Sequence, residues 1–241
     1  MNYFITILLS LLFLLPNSSD AKILVKVGGY EFYPFVEYEG KSGHTIEIIK
    51  KFNQSQDKYK FQFVLTSAKR RYRDFTTGKF DVILFEDESW GWSQEKINYN
   101  TSSVLAKGQE VIIALKANNR DQSFFSNFKD KKIKLILGYH YKLLNMQTDH
   151  KISENKKIEG ISFGTSLKEN LNELLEGKID ITFLNSFELD ELFKDKYFSK
   201  DQILINKEED HTYTLRAIMT PNSPIHMSEF EQLFNKHKIN I

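Results

Sequence analysis

Apolar residues recur along this chain at two periods, and the alternation between them lays out its elements. Runs rich in Val, Ile and Phe at Ile23 to Val27, Tyr59 to Leu65, Val82 to Phe85, Glu110 to Leu115, Ile133 to Leu137 and Tyr213 to Met219 read as strands. Helix-period segments separate them. Ile46, Ile49 and Phe52 share one helical face, with Thr45 as N-cap and Glu47 complementing the dipole of the first turn. Arg70 to Thr77 reads as a short helix. Leu167, Leu171, Leu174 and Leu175 form the stripe of an amphipathic helix, and Phe230 to His237 a final surface helix. Strands alternating with helices predict an α/β fold with parallel sheets.

One phrase organises the pattern. Gly78 to Trp92, GKFDVILFEDESWGW, is a turn, a strand covered on both faces, and an acidic loop carrying both tryptophans. Gly78 closes the preceding helix, where a residue without Cβ takes positive φ at little cost. The order Gly-Lys-apolar-Asp-strand returns at Gly177 to Leu184. Two similar α/β lobes, each giving one wall of a cleft, are the economical reading, with Asp81 and Asp180 setting the turns.

The chain has 241 residues, enough for one large domain or two small ones. A net charge of +1 gives no general pull towards nucleic acid or an anionic membrane. With no cysteine there is no disulfide, thiolate metal site or cysteine-borne lipid anchor. The first 21 residues read as a signal peptide: Phe4 to Leu15 is apolar, Pro16 ends it, and Ser19 and Ala21 supply small residues before cleavage at Lys22. Export to the periplasm follows as an expectation. The six scattered histidines do not suggest a metal site, and no phosphate loop, His-Glu-x-x-His pair or nucleophile elbow occurs.

Ligands of open α/β sheets sit beyond the carboxyl ends of strands, which is where Glu86, Trp90 and Trp92 fall. The tryptophans read either as a ligand platform or as anchors of the loop on the core. The first strand leads into an aromatic loop holding Tyr33 and Phe35, and the strand at Ile133 into Gly138-Tyr139-His140-Tyr141. His140 reads as a ligand contact or as a partner of nearby backbone.

In order and spacing, Tyr33-Pro34-Phe35, the Gly43 to Glu47 helix entry, the two Gly-x-x-Asp units, Gly138-Tyr-x-Tyr and the last strand before Pro221 resemble the periplasmic solute-binding proteins of the amino-acid-type family. The resemblance spans nearly all of the chain after residue 21. It implies a periplasmic binding protein-like II fold, two Rossmann-like lobes joined by a two-segment hinge. Residues 22–115 with 213–241 would make lobe one and residues 116–212 lobe two. It further implies a monomer without cofactor that captures a small solute by closure, for a membrane permease or a sensor. The walls of the site would be Tyr33, Phe35, Trp90 and Trp92 from lobe one and Tyr139 and Tyr141 from lobe two.

The chain departs from that pattern at two positions. Amino-acid binders carry an arginine for the carboxylate where Ser93 stands, and often an acid for the ammonium where Asn185 stands. Arg70, with Arg71 and Arg73 beside it, is the alternative anion contact, and a solvated helix face is the competing reading. Two other functions compete with capture. One is a dehydratase-like enzyme using Glu86, His140 and Arg70; the other is a partner-docking module without ligand.

Overall fold

The computed structural model describes residues 21–149, 159–195 and 197–237. The segment read as a signal peptide lies, up to residue 20, outside the described residues.

The fold is mixed α/β, built on one continuous sheet of ten strands. The first half runs β1 (Ile23–Gly29), α1 (His44–Ser55), β2 (Tyr59–Leu65), α2 (Arg71–Thr76) and β3 (Val82–Glu86). After the short β4 (Asn100–Thr101), the long β5 (Ala106–Leu115) crosses into the second half. There β6 (Ile133–Ile136), β7 (Ile161–Gly164), α3 (Leu167–Leu175), β8 (Ile181–Asn185), α4 (Ser186–Lys194) and β9 (Ile203–Ile205) follow. The chain returns through β10 (His211–Met219) and ends in α5 (Met227–His237).

The sheet order is β2-β1-β3-β10-β5-β8-β6-β7. Strands β2, β1 and β3 are parallel, as are β8, β6 and β7. The link between these triplets is antiparallel. The start of β10 pairs with β5, His211 opposite Glu110, while its end pairs with β3. Two adjacent strands therefore carry the chain between the halves, and a group near the start of β10 or the middle of β5 sits at their junction.

The repeated phrase is repeated structure. Gly78 and Gly177 take φ of +70° and +68°, the left-handed geometry that favours glycine after a helix. The Asp81 carboxylate accepts from the Lys26 N–H at 2.7 Å, and Asp180 from the Lys132 N–H at 2.8 Å. Each aspartate ties its turn to the neighbouring parallel strand, β1 in one half and the approach to β6 in the other. The reason the order Gly-x-x-Asp occurs twice is thus a shared backbone requirement.

Core packing follows the halves. One cluster gathers residues of β1–β3, α1, β10 and α5, from Val25 to Phe230; two smaller ones lie on either face of β5 and β8. Some local expectations are corrected. Gly43, at φ +106°, precedes the first turn of α1, and Thr45 lies buried inside the helix instead of capping it. Ile48 joins Ile49 and Phe52 in the core, while Ile46 is half-buried, because the face is centred one position further on. Leu175 ends α3 exposed. Phe230 of α5 is wholly buried, so that helix is fastened to the first half rather than laid on its surface.

Candidate functional site

Where β1, β3, β5, β10 and the turn after β6 meet, eight side chains enclose a cavity: Tyr30, Phe32, Arg71, Trp90, Glu110, Tyr139, His140 and His211. The space open to the centre of a water-sized molecule is only about 10 Å³, room for about one water. The aromatic walls lean on each other edge to face, with Phe32 against Trp90 at 5.6 Å, Trp90 against Tyr213 at 5.0 Å, and Tyr30 against Tyr139 at 6.1 Å. The halves are shut on this spot. The Tyr139 hydroxyl donates to the Glu31 carbonyl at 2.8 Å, Asn185 Nδ2 to the Tyr33 carbonyl at 3.0 Å, and Lys69 pairs with Asp149 at 2.7 Å. Gly138, at φ +83°, lets the second half approach closely: a Cβ there would lie 2.8 Å from Lys69 Cγ and 3.1 Å from Ala68 Cβ.

Beneath one wall is a buried ion pair. Arg71 enters from the first turn of α2, on the face shared with Ala68 and Phe75, and its Nε lies 3.1 Å from Glu86 Oε2. The same carboxylate oxygen accepts from the Trp92 indole N–H at 2.7 Å. Arg71 donates to the Trp90 carbonyl at 3.0 Å and to the Ala68 carbonyl, and lies over the Tyr72 ring. Burial pushes the Glu86 carboxyl up, while the guanidinium and the indole N–H pull it back.

On the opposite side the charges are acidic. Glu110 continues the face of Ile112 and Ala114 along β5 and is buried. Burial raises its carboxyl well above the usual range, and the neighbouring Glu188 and Asp210 raise it further. Asp210 accepts from the backbone N–H groups of Lys142 and Leu143 and holds His211 Nδ1 at 2.9 Å. That hydrogen bond sets the tautomer, leaving Nε2 to accept from the Trp90 indole N–H at 3.4 Å.

The expected site residues divide into three groups. Trp90, Tyr139 and His140 line the cavity. Tyr33, Phe35 and Asn185 lie elsewhere along the contact between the halves, away from its walls. Phe35 is buried, stacked on Phe85 at 4.2 Å and edge-on to Phe187 of α4 at 5.1 Å, and Asn185 caps α4 in a reciprocal pair with Glu188. The rest point elsewhere. Trp92 is wholly buried between Phe75 and Tyr72, so within the tryptophan pair it is an anchor. Tyr141 is wholly buried beneath β6, its hydroxyl accepting from the Ile136 N–H at 3.0 Å. Glu86 is sealed against Arg71, and Ser93 is exposed. Arg70 is exposed as well; its neighbour Arg71 is the one that reaches the cavity. Tyr30, Phe32, Glu110 and His211 were missed. The alternation in Tyr30-Glu31-Phe32 and a lone acid heading an apolar strand were the available signals.

No family model and no curated protein matches the chain by sequence. Solved structures match it by shape. An ABC uptake transporter substrate-binding protein from Streptococcus pneumoniae with bound histidine superposes with a TM-score of 0.66 at 13% identity, over 89% of this chain and 87% of that one. A putative L-cystine ABC transporter protein from Listeria monocytogenes gives 0.65 at 16% identity over 89% of each chain. The ligand-binding domain of AvGluR1 in complex with glutamate gives 0.66 at 14%, over 90% of each. The chain thus has the bilobal α/β fold of type II periplasmic binding proteins. At these identities the shared property is the fold.

Proposed function

We propose that this chain is a solute-binding protein that captures a small polar solute between two lobes by closing on it, without chemical change to the solute. Residues 22–115 with 213–241 act as one lobe and 116–212 as the other, with β5 and β10 as the hinge. The observation that carries the reading is the convergence of Arg71, Glu110, His140 and His211 with four aromatic rings on one point where the halves meet. Ionisable groups gathered in a ring-lined cleft are costly to maintain in a structural core and useful to a binding site. The fold neighbours include proteins with bound histidine and glutamate, which supports a small charged solute. Delivery to a membrane permease or a sensor, and export with loss of residues 1–21, belong to the same reading.

A solute favours the closed form only by the excess of its affinity for closed over open, and micromolar binding needs about 8 kcal/mol in all. The cleft as it stands holds about one water, so entry requires the lobes to part and the rings to separate. That tightness favours one second reading, a module that docks a partner and takes no solute. A thermal-shift screen of amino acids, amines, short oligosaccharides and organic acids separates the two, with mass spectrometry of each stabilising compound after incubation. Stabilisation by an unaltered compound supports capture; a product reveals an enzyme, and no stabilisation by any compound favours the docking module.

A further inference from the structure

The cavity's charges do not balance. Arg71 is already compensated by Glu86, at 3.1 Å, on the side away from β5. Glu110, which lines the same cavity, has no such partner: among the described residues no hydrogen bond to its carboxyl group and no cation paired with it is found. What surrounds it makes matters worse for an anion. Glu188 approaches from α4 and Asp210 from the start of β10. His211, its cross-strand partner, is turned to Asp210, and the His140 ring lies beside Gly91. A buried carboxyl in this position without a counter-charge is an expensive feature of a fold, and one explained by a ligand that brings the charge.

We propose that Glu110 receives the positive charge of the solute, and that the solute is a small organic amine whose cationic nitrogen sits against this carboxylate among the rings of Tyr30, Phe32, Trp90 and Tyr139. The inference rests on the cleft being a solute site. Aromatic faces attract such a cation through their quadrupoles, most strongly where water is excluded. The carboxylate supplies the directional partner, and the hinge strand β5 holds it fixed while the lobes move. In the empty cleft, burial and the acids around it raise the Glu110 carboxyl well above the usual range and so favour its protonated form. Binding of the cation exchanges one proton for one positive charge: the carboxyl O–H loses its proton to solvent and the cationic nitrogen takes its place beside the carboxylate. Affinity therefore rises with pH, by up to tenfold per unit while Glu110 is still protonated.

The test is isothermal titration calorimetry at pH 6 and pH 8, in two buffers of different ionisation enthalpy. Putrescine, choline and L-lysine serve as cations, succinate as an anion and glucose as a neutral solute. The expected result is that at least one cation binds, succinate and glucose do not, and about one proton is released per cation bound. Glu110→Gln should then bind that cation at least tenfold more weakly and release no proton, with an unliganded melting temperature no lower than that of the parent. His140 and His211 line the same cavity, so the Glu110→Gln comparison is what assigns the proton to Glu110. A cation held equally well by Glu110→Gln overturns the assignment of Glu110. Binding of succinate or glucose but of no cation overturns the amine class and leaves solute capture standing. Failure of all five compounds, with no change in solution scattering, removes this inference together with the reading it rests on.

Discussion

Removing Arg71 tests the electrostatic floor of the site. In Arg71→Met the volume is roughly kept, but the Glu86 carboxylate loses its partner at 3.1 Å, and the Trp90 carbonyl loses the donor at 3.0 Å that ties its loop to α2. Both members of the pair are at most 1% exposed, so water cannot replace the lost contact. Breaking a buried pair from one side costs on the order of 3–5 kcal/mol, at least about a fifth of the roughly 5–15 kcal/mol that a domain has. Glu86→Gln in the same background removes the orphaned charge while an amide oxygen still accepts from the Trp92 indole. The double variant should therefore recover about 2 kcal/mol of the loss, within the usual range of coupling for contacting residues. Urea titrations followed by circular dichroism measure all four corners of the cycle. The pH dependence gives an independent check. Without the guanidinium, burial is opposed only by the weaker hydrogen bonds to Glu86, and its folded-state value rises further above the unfolded one. The native state then holds a proton that the unfolded state has lost, and stability falls as pH rises from about 4.3. Arg71→Met should be closer to the parent at pH 5 than at pH 8. A single variant costing under about 1 kcal/mol, with the double variant additive and no pH trend, would show that the pair does not have the role given to it here.

Three further outcomes are expected. Trp90→Phe should weaken solute binding about tenfold or more, through loss of the N–H to His211 and of ring area, while Trp92→Phe, which removes the buried bond to Glu86 and part of a ring packed on Tyr72, Phe75 and Tyr99, should lower stability by about 1–3 kcal/mol or more and leave affinity within twofold. Burial holds the Glu188 carboxyl up at about 8 in the folded protein, so its contribution to stability is most favourable below the ordinary carboxylate range and is lost as pH rises to about 8; Glu188→Gln, which can still cap α4, should flatten that decline in melting temperature. Asp81→Asn and Asp180→Asn each weaken one charge-assisted bond to a strand N–H, at 2.7 and 2.8 Å, and should cost similar amounts, about 1–2 kcal/mol apiece by chemical denaturation.

The sequence carried the frame of this molecule better than its centre. Gly78-x-x-Asp81 and Gly177-x-x-Asp180 were readable as equivalent because a left-handed turn and a strand-bracing carboxylate are local requirements that fall on particular residue types. Most strands of both halves were likewise visible as apolar runs, but the short β4, β7 and β9 were not. The site was less legible, since its members come from α2, β5, β10 and three loops, and only tertiary packing brings them together. Arg70 and Arg71 are neighbours in sequence, but the helical step turns one to solvent and the other under the loop. Trp90 and Trp92 differ in the same way, with one on the cavity and the other in the core. The start of β5, Ala106 to Gln109, lacks the apolar run that marks a strand; its pairing with β10 builds it.

Small-angle X-ray scattering of the protein, with and without the compound that most raises its melting temperature, tests the central claim most directly. Closure of two α/β lobes over a bound amine predicts a smaller radius of gyration and a shorter maximum dimension with the compound present, and a scattering curve that then matches the shut structure described above. Identical curves, with saturating compound shown to be bound, would contradict capture by closure.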